Sequence, residues 1–265
     1  MSDSSFRVLV GRVEDGTDLW LDLASPSHIL IQGMTQLSGK SNLARVILAP
    51  FGGRANVSVY GADPSHLLLA CWGAGSTDRI ALGTGNMAAA AACLTNAVAE
   101  MDRRIASLSA KRVDRLDIAE QGILFVVLEE YAGVLAAAES EDAEKGRKPT
   151  DRVAPRIQRA VRRLIQEGAK VGVRVVMLLQ RAEAQIVGGA ERSNFGTRFT
   201  LRVDNADAVR MLHPNATPEQ IAQVATFQPG MGLVEMPGYL GIRIMRADHL
   251  SFSRYLEAVK GATHD

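Results

Sequence analysis

The sequence predicts an α/β fold with a mainly parallel central sheet and helices on both faces. Three observations predict it. Apolar blocks of strand length (residues 29–31, 123–128 and 171–179) recur between helical stretches, and continuous apolar runs suit strands covered on both faces. The first block runs into Gly33-Met34-Thr35-Gln36-Leu37-Ser38-Gly39-Lys40-Ser41 and then a helical pattern, which is the grammar of a phosphate-binding loop. The second block ends in two adjacent carboxylates, Glu129 and Glu130.

In chain order, residues 6–11 and 18–23 read as a hairpin turning on Glu14-Asp15-Gly16-Thr17. The loop strand follows, then a helix expected over residues 42–49. Residues 56–61 alternate as a short strand and end in Ala62-Asp63-Pro64. An alanine-rich run over 87–108 reads as a long helix. Residues 136–149 read as an exposed, mobile loop because small and charged residues crowd there. Residues 152–167 have helical period with Gly168 as a stop. A strand over 198–203 precedes short helices at 204–212 and 218–224, with Asp204 and Thr217 as caps. Residues 232–245, broken by Pro237-Gly238, read as a closing hairpin, and a terminal helix is expected over 250–265. The whole chain is thus expected to be one domain: a hairpin over 1–24, a core over 25–249 and that last helix.

The loop chemistry is specific. Backbone N–H groups and a helix N-terminus attract phosphate, Lys40 would reach the β- and γ-phosphates, and the Ser41 hydroxyl would ligate Mg²⁺. Gly33, Met34, Thr35, Ser38, Gly39, Lys40, Ser41 and Asn42 form the expected ATP-contacting set. The usual loop has four residues between its first glycine and Gly-Lys-Ser. Here residues 34–38 separate Gly33 from Gly39, so either the loop carries one more residue or Met34 stands in the first glycine's place. Glu129 is expected on Mg²⁺ through water, and Glu130 as general base on the attacking water. Gln180, after the third apolar block, is expected to hydrogen-bond the γ-phosphate or that water.

Composition bounds the reading. The 265 residues are 47% hydrophobic with a net charge of +1, so nucleic-acid contact would need local clustering. Two cysteines without metal-ligand spacing fit a reducing compartment. No stretch approaches the roughly 20 apolar residues of a membrane span, and no signal pattern opens the chain, so a cytoplasmic protein is expected.

Several blocks in order resemble the FtsK/SpoIIIE DNA-translocase motor, within the HerA/FtsK group of RecA-like ring ATPases, particularly the transfer proteins of actinobacterial mobile elements. Ser27-His28-Ile29-Leu30-Ile31 and the glycine loop resemble its strand and loop. Tyr60-Gly61-Ala62-Asp63-Pro64 resembles a strand ending in Asp-Pro-Lys, with Ser65 where the lysine would be. Glu100-Met101-Asp102-Arg103-Arg104, Glu129-Glu130-Tyr131-Ala132, residues 168–181 and residues 197–203 resemble further family segments. Glu129 departs from the family's aspartate. The resemblance spans about residues 18–245.

The resemblance implies a RecA-like P-loop NTPase fold and an ATP-driven, hexameric ring of copies of this chain that moves double-stranded DNA. It also implies an arginine supplied by the neighbouring subunit, for which Arg198 and Arg202 match the family motif; pairing with Asp204 or Asp207 is the alternative. The membrane anchor, extra subdomain and winged-helix module of larger translocases are not expected, so guidance would come from a partner protein. DNA contact is expected at Lys145, Arg147 and Lys148 of the mobile loop, at Arg156 and Arg159 on the following helix, whose basic stripe also holds Arg152 and Arg163, and at Arg192 in residues 183–196. A protein-moving ATPase of the same fold, or a nucleotide-binding structural ring, are the competing readings.

Overall fold

The computed structural model describes residues 6–35, 38–73, 78–180 and 188–260, with backbone alone at Ala190. Ten strands form one mixed sheet in the order β2-β1-β10-β9-β8-β3-β7-β6-β4-β5. They are β1 (Arg7–Val13), β2 (Asp18–Asp22), β3 (Ile29–Gln32), β4 (Val57–Asp63), β5 (Ile80–Leu82), β6 (Ile123–Leu128), β7 (Val173–Leu179), β8 (Thr197–Leu201), β9 (Met231–Glu235) and β10 (Arg243–Ala247). The helices are α1 (Lys40–Leu48), α2 (Met87–Lys111), α3 (Ile118–Gln121), α4 (Tyr131–Glu144), α5 (Val153–Glu167), α6 (Gly189–Ser193), α7 (Ala206–Leu212), α8 (Pro218–Val224) and α9 (Phe252–Lys260). This is the mainly parallel α/β sheet that the apolar blocks predict and the RecA-like P-loop fold that the family resemblance implies. Two compact units are distinguished along the chain, residues 1–53 with 178–265, and residues 54–177.

In the first unit, β3 and β8 run parallel, Ile29 opposite Thr197 through Gln32 opposite Thr200. Strands β9, β10, β1 and β2 continue the sheet antiparallel. Of these pairs, β1-β2 and β9-β10 are the two expected hairpins and need only short turns, whereas β3 and β8 need a crossover. Thr217 and Gln220 form a reciprocal capping box at α8. The cap of α7 is Asn205 rather than Asp204: the Asn205 side chain accepts the Asp207 N–H, leaving Asp204 outside the helix.

In the second unit, β4 pairs in parallel with β5 and β6, and β6 with β7. All six residues of β6 are fully buried, as a strand covered on both faces must be. Helix α5 turns Ile157, Val161, Leu164 and Ile165 inward and leaves Arg156 and Arg159 exposed. The Glu100–Arg104 motif on α2 is structural. Arg104 is buried, its Nε donates to Glu100, and its Nη1 donates to the carbonyls of Gly122 and Val171, where the chain enters β6 and β7. Likewise, buried Asp63 accepts N–H bonds from Ser65, Leu68 and Leu69 and the Ser65 hydroxyl, so Ser65 serves the turn after β4.

The expected exposed loop over 136–149 is instead helical to Glu144, with a carboxylate pair packed inside. Alanine and glutamate are strong helix formers, and Val134, Leu135, Ala138, Glu141 and Asp142 make one buried face. Glu141 accepts the Met87 N–H at the start of α2, at 2.7 Å. Asp142 accepts the Val153 and Ala154 N–H groups at the start of α5, at 2.8 and 3.0 Å. One helix thus caps two others, and each cap meets the positive end of a helix dipole. Arg147 spans both acids, and Lys145 pairs with Glu141. The Lys145 hydrogen bond, then the Met87 N–H, hold Glu141 down to about 2 from its ordinary 4.5. For Asp142 burial works the other way, but its donors prevail and its pKa is lowered.

Asp142→Ala leaves two helix N–H groups and Arg147 without their acceptor, so it should cost about 2–4 kcal/mol in urea unfolding. Because the pKa of Glu141 is depressed on folding, its contribution is complete above pH 4.5 and lost as pH falls toward 2. Glu141→Gln should flatten the acid limb of the stability profile in that window; an unchanged limb would remove Glu141 from the account.

Candidate nucleotide site

Parallel pairing decides where the site can form. Ligands of open α/β sheets bind beyond the C-terminal strand ends, where the connections diverge. Past Gln32 the chain stays tied to both neighbours: the Gly33 N–H donates to Leu179 O at 3.1 Å and the Met34 N–H to Arg202 O at 2.9 Å. The loop therefore springs from a fixed base.

Its far end is fixed as well. Gly39, at the start of α1, has φ 98°, which a side chain strains to adopt. A Cβ there would come within 2.8 Å of the Gly230 nitrogen. The Gly230 N–H in turn donates to Ser38 O at 3.0 Å. The Pro229-Gly230 turn thus buttresses the loop, a role that sequence reading missed although Pro-Gly is itself a turn signal. Gly33 is less constrained: a Cβ would approach the Ser38 side chain, its Oγ at 2.9 Å.

Lys40 Nζ donates to Gly33 O at 2.6 Å and Met34 O at 3.1 Å, and Ser38 Oγ donates to Met34 O at 2.8 Å. Gly33 and Met34 thus both turn their carbonyls to Lys40. Met34, Ser38, Gly39, Lys40, Ser41, Asn42 and Pro229 line a hollow of about 270 Å³. Thr35 is exposed beside it in sequence, and Gln36 and Leu37 lie outside the described residues. A hydroxyl and an ammonium at the start of α1 are the donors a nucleotide with a divalent cation would need there. Asn42 does something else. Its side chain donates to Asp248 O and accepts the Leu250 N–H, tethering the segment before α9 to α1. Its side chain is thereby committed to that tether, while the residue still lines the hollow.

Gln180 is exposed directly after β7, whose Leu179 receives the Gly33 N–H. In the second unit, Glu129 and Glu130 are half-buried at the end of β6, the Glu129 N–H bonded to Ala62 O. Glu130 has φ 48°, left-handed for a residue with a side chain, a strained geometry characteristic of functional positions.

Strand β8 separates the two candidate arginines. Arg198 lies near its start, four residues or roughly 13 Å from Arg202 along the strand. Arg198 donates to the carbonyls of Phe195, Leu212 and Arg192 and lies 3.6 Å from Glu235. Glu235 also holds His213, whose pKa burial pushes down. Arg198 is therefore engaged within its own chain. Arg202 follows the C-terminal end of β8, and its Nε donates to the Met34 sulfur at 3.3 Å. Neither pairs with Asp207, which binds Arg210.

The basic candidates divide in the same way. Lys145 and Arg147 are engaged by the acid pair, which corrects their expected place on a free loop, while Lys148 is exposed. Arg163 is bound by Asp102 and Glu167, whereas Arg156 and Arg159 line a shallow hollow of about 260 Å³ with Thr95 and Val98. Arg192 is half-buried on α6; much of the 183–196 segment, residues 183–187, lies outside the described residues.

No protein-family model and no curated protein matches the sequence. Solved structures do. The chain superposes on the pCW3 conjugation coupling protein TcpA, in a monomer form with ATPγS, with TM-score 0.70 and 20% identity, covering 97% of this chain and 71% of that one. It superposes on the cytoplasmic domain of the type VII secretion ATPase EccC of Thermomonospora curvata with TM-score 0.71 and 19% identity, covering 98% of this chain and 32% of that one. EssC (ATPases 2 and 3) of Geobacillus thermodenitrificans gives TM-score 0.69 and 14% identity, with 99% and 49% covered. These neighbours are FtsK/SpoIIIE-type ATPase domains, and the likeness at such identity is one of fold. The chain spans less than half the length of the secretion ATPases it resembles. Among the described residues, no helix is long and apolar enough to cross a membrane.

Gly39→Ala should abolish ATPγS binding in calorimetry, since the new Cβ collides with the Gly230 backbone. Asn42→Ala should leave ATPγS affinity within about threefold, a change of only ~0.7 kcal/mol, yet speed hydrogen exchange in residues 248–260. A large loss of affinity with unchanged exchange would instead place Asn42 in the ligand set.

Proposed function

We propose that this chain is the ATP-hydrolysing motor of a ring, built from copies of itself and expected to be hexameric, that moves double-stranded DNA without regard to sequence. The observation that carries the ATPase reading is the phosphate cradle: left-handed Gly39, Lys40 folded onto the Gly33 and Met34 carbonyls, and Ser41 on the hollow. ATP with Mg²⁺ supplies a γ-phosphoryl group open to in-line attack by water. Lys40 would neutralise phosphate charge and Ser41 would offer its hydroxyl to the metal. By the family resemblance, Glu129 would hold the metal through water, Glu130 would accept the proton of the attacking water, and Gln180 would orient that water. The wide, left-handed turn at Glu130 suits a side chain that must be aimed rather than packed.

DNA is the favoured cargo because Arg156 and Arg159 are exposed on one face of α5 and Lys148 precedes that helix. The family resemblance and the likeness to a conjugation coupling protein support it. Phosphate contacts of this kind track a backbone and do not read bases. The second reading is a motor that moves protein, favoured by the equal likeness to type VII secretion ATPases and by the partial burial of Arg147 against the acid pair.

Steady-state hydrolysis should rise with kilobase duplex, fall to background in Lys40→Ala, and lose its stimulation steeply with salt. Arg156→Ala with Arg159→Ala should weaken stimulation while basal turnover persists. Turnover indifferent to duplex at every salt would move the assignment to the protein cargo. Glu130→Gln should retain ATP and lose turnover by at least roughly 100-fold. Binding without turnover in the unmodified chain would make it a nucleotide-holding structural ring.

A further inference from the structure

We infer that Arg202 is a cis-acting reader of the terminal phosphate, acting on the nucleotide held by its own loop; this rests on the nucleotide reading above. The register of β8 puts Arg202 there. Strand β8 runs parallel to β3, so its C-terminal end opens on the same edge of the sheet as the loop. The Met34 N–H to Arg202 O bond extends that pairing one step beyond both strands. A residue at this position faces its own phosphate loop by construction.

The side chain has the matching chemistry. Arg202 is half-buried, and among the described residues the Met34 sulfur is its one acceptor. A thioether is a weak acceptor for a group carrying five N–H donors. No carboxylate among the described residues lies within ion-pair distance of it. A partly desolvated guanidinium with so little compensation favours an anion, and its planar fork matches phosphate oxygens in pairs.

Met34 links this group to the lysine. Its sulfur receives Arg202, while its carbonyl receives Lys40 and Ser38. One residue therefore parks both cations in the structure, and in one of the two alignments of the loop it stands in the first glycine's place. A glycine there would offer the carbonyl but nothing for Arg202. The arriving γ-phosphate would exchange the thioether for charged oxygens, a trade absent with ADP, whose shorter chain ends at the lysine. Arg202 thereby distinguishes the triphosphate from the diphosphate within one subunit.

The test is binding by calorimetry at dilutions where the chain is monomeric, using ATPγS and ADP on wild type, Arg202→Ala and Arg202→Lys. Arg202→Ala should bind ADP as wild type does and ATPγS roughly 10- to 100-fold more weakly, the range of a lost charge-assisted pair. Arg202→Lys should recover part of that preference. ADP affinity reports on the integrity of the loop. Equal weakening toward both nucleotides, or none toward ATPγS, would overturn the inference. So would restored hydrolysis when Arg202→Ala subunits are mixed with Lys40→Ala subunits, because rescue requires an arginine supplied across the interface. Failure of wild type to bind either nucleotide would instead remove the nucleotide site itself, and this inference with it.

Discussion

The parallel register of β3 with β8 is the constraint on which the site depends. Both strands are buried, so neither can slip without moving apolar side chains to the wrong face. Once Gln32 is opposite Thr200, the next residues are placed without further choice: Gly33 and Met34 leave one strand where Leu201 and Arg202 end the other. The Gln32 side chain secures that end of the pair by donating to Thr200 Oγ1 and to Ala208 O. The loop then closes on a second anchor, the Pro229-Gly230 turn, and the start of α1 is held between two fixed backbones. Preorganisation of this kind lets backbone N–H groups meet phosphate without first ordering a loop.

The same register explains why two arginines of one motif have different lives. A strand of five residues is long enough for its ends to serve different regions. Arg198, near the beginning, ties together loop carbonyls and Glu235, work that any buried guanidinium must find to offset its desolvation. Arg202, past the end, meets a sulfur as its one side-chain acceptor among the described residues. Charge type and family motif are common to both, and position along the strand separates them.

In the other unit the organising interaction is the acid pair of α4. Three helices leave polar backbone groups at their ends, and burying such groups unpaired is costly. Glu141 and Asp142 satisfy the N-termini of α2 and α5 together, and Arg147 with Lys145 neutralises the carboxylates that do so. Arg147, which looks available for nucleic acid in the sequence, is thereby held largely covered by the fold, while Lys145 stays exposed. The α5 arginines escape this fate because that helix buries only its apolar stripe, although Arg163 is taken by Asp102 and Glu167.

The sequence by itself determined most of the strands and the place of the glycine loop among them, though not β5. Continuous apolar runs announced β3, β6 and β7, turn residues announced the hairpins, and Gly39-Lys40-Ser41 after a buried strand announced the cradle. Those signals are local: period, turn chemistry and short spacing act within a few residues. The residue-level reading of 136–149 failed because helix-forming alanine and glutamate also look like low complexity, and the partners that bury Glu141 and Asp142 lie at Met87, Val153 and Ala154. Asn42, the Pro229-Gly230 buttress and the split between Arg198 and Arg202 were likewise invisible. Each rests on contacts between residues far apart in the chain, for which composition and spacing carry no signal. Only the tertiary structure, by setting strand register and helix packing, decided which polar side chains are spent on the fold and which are left to face a ligand.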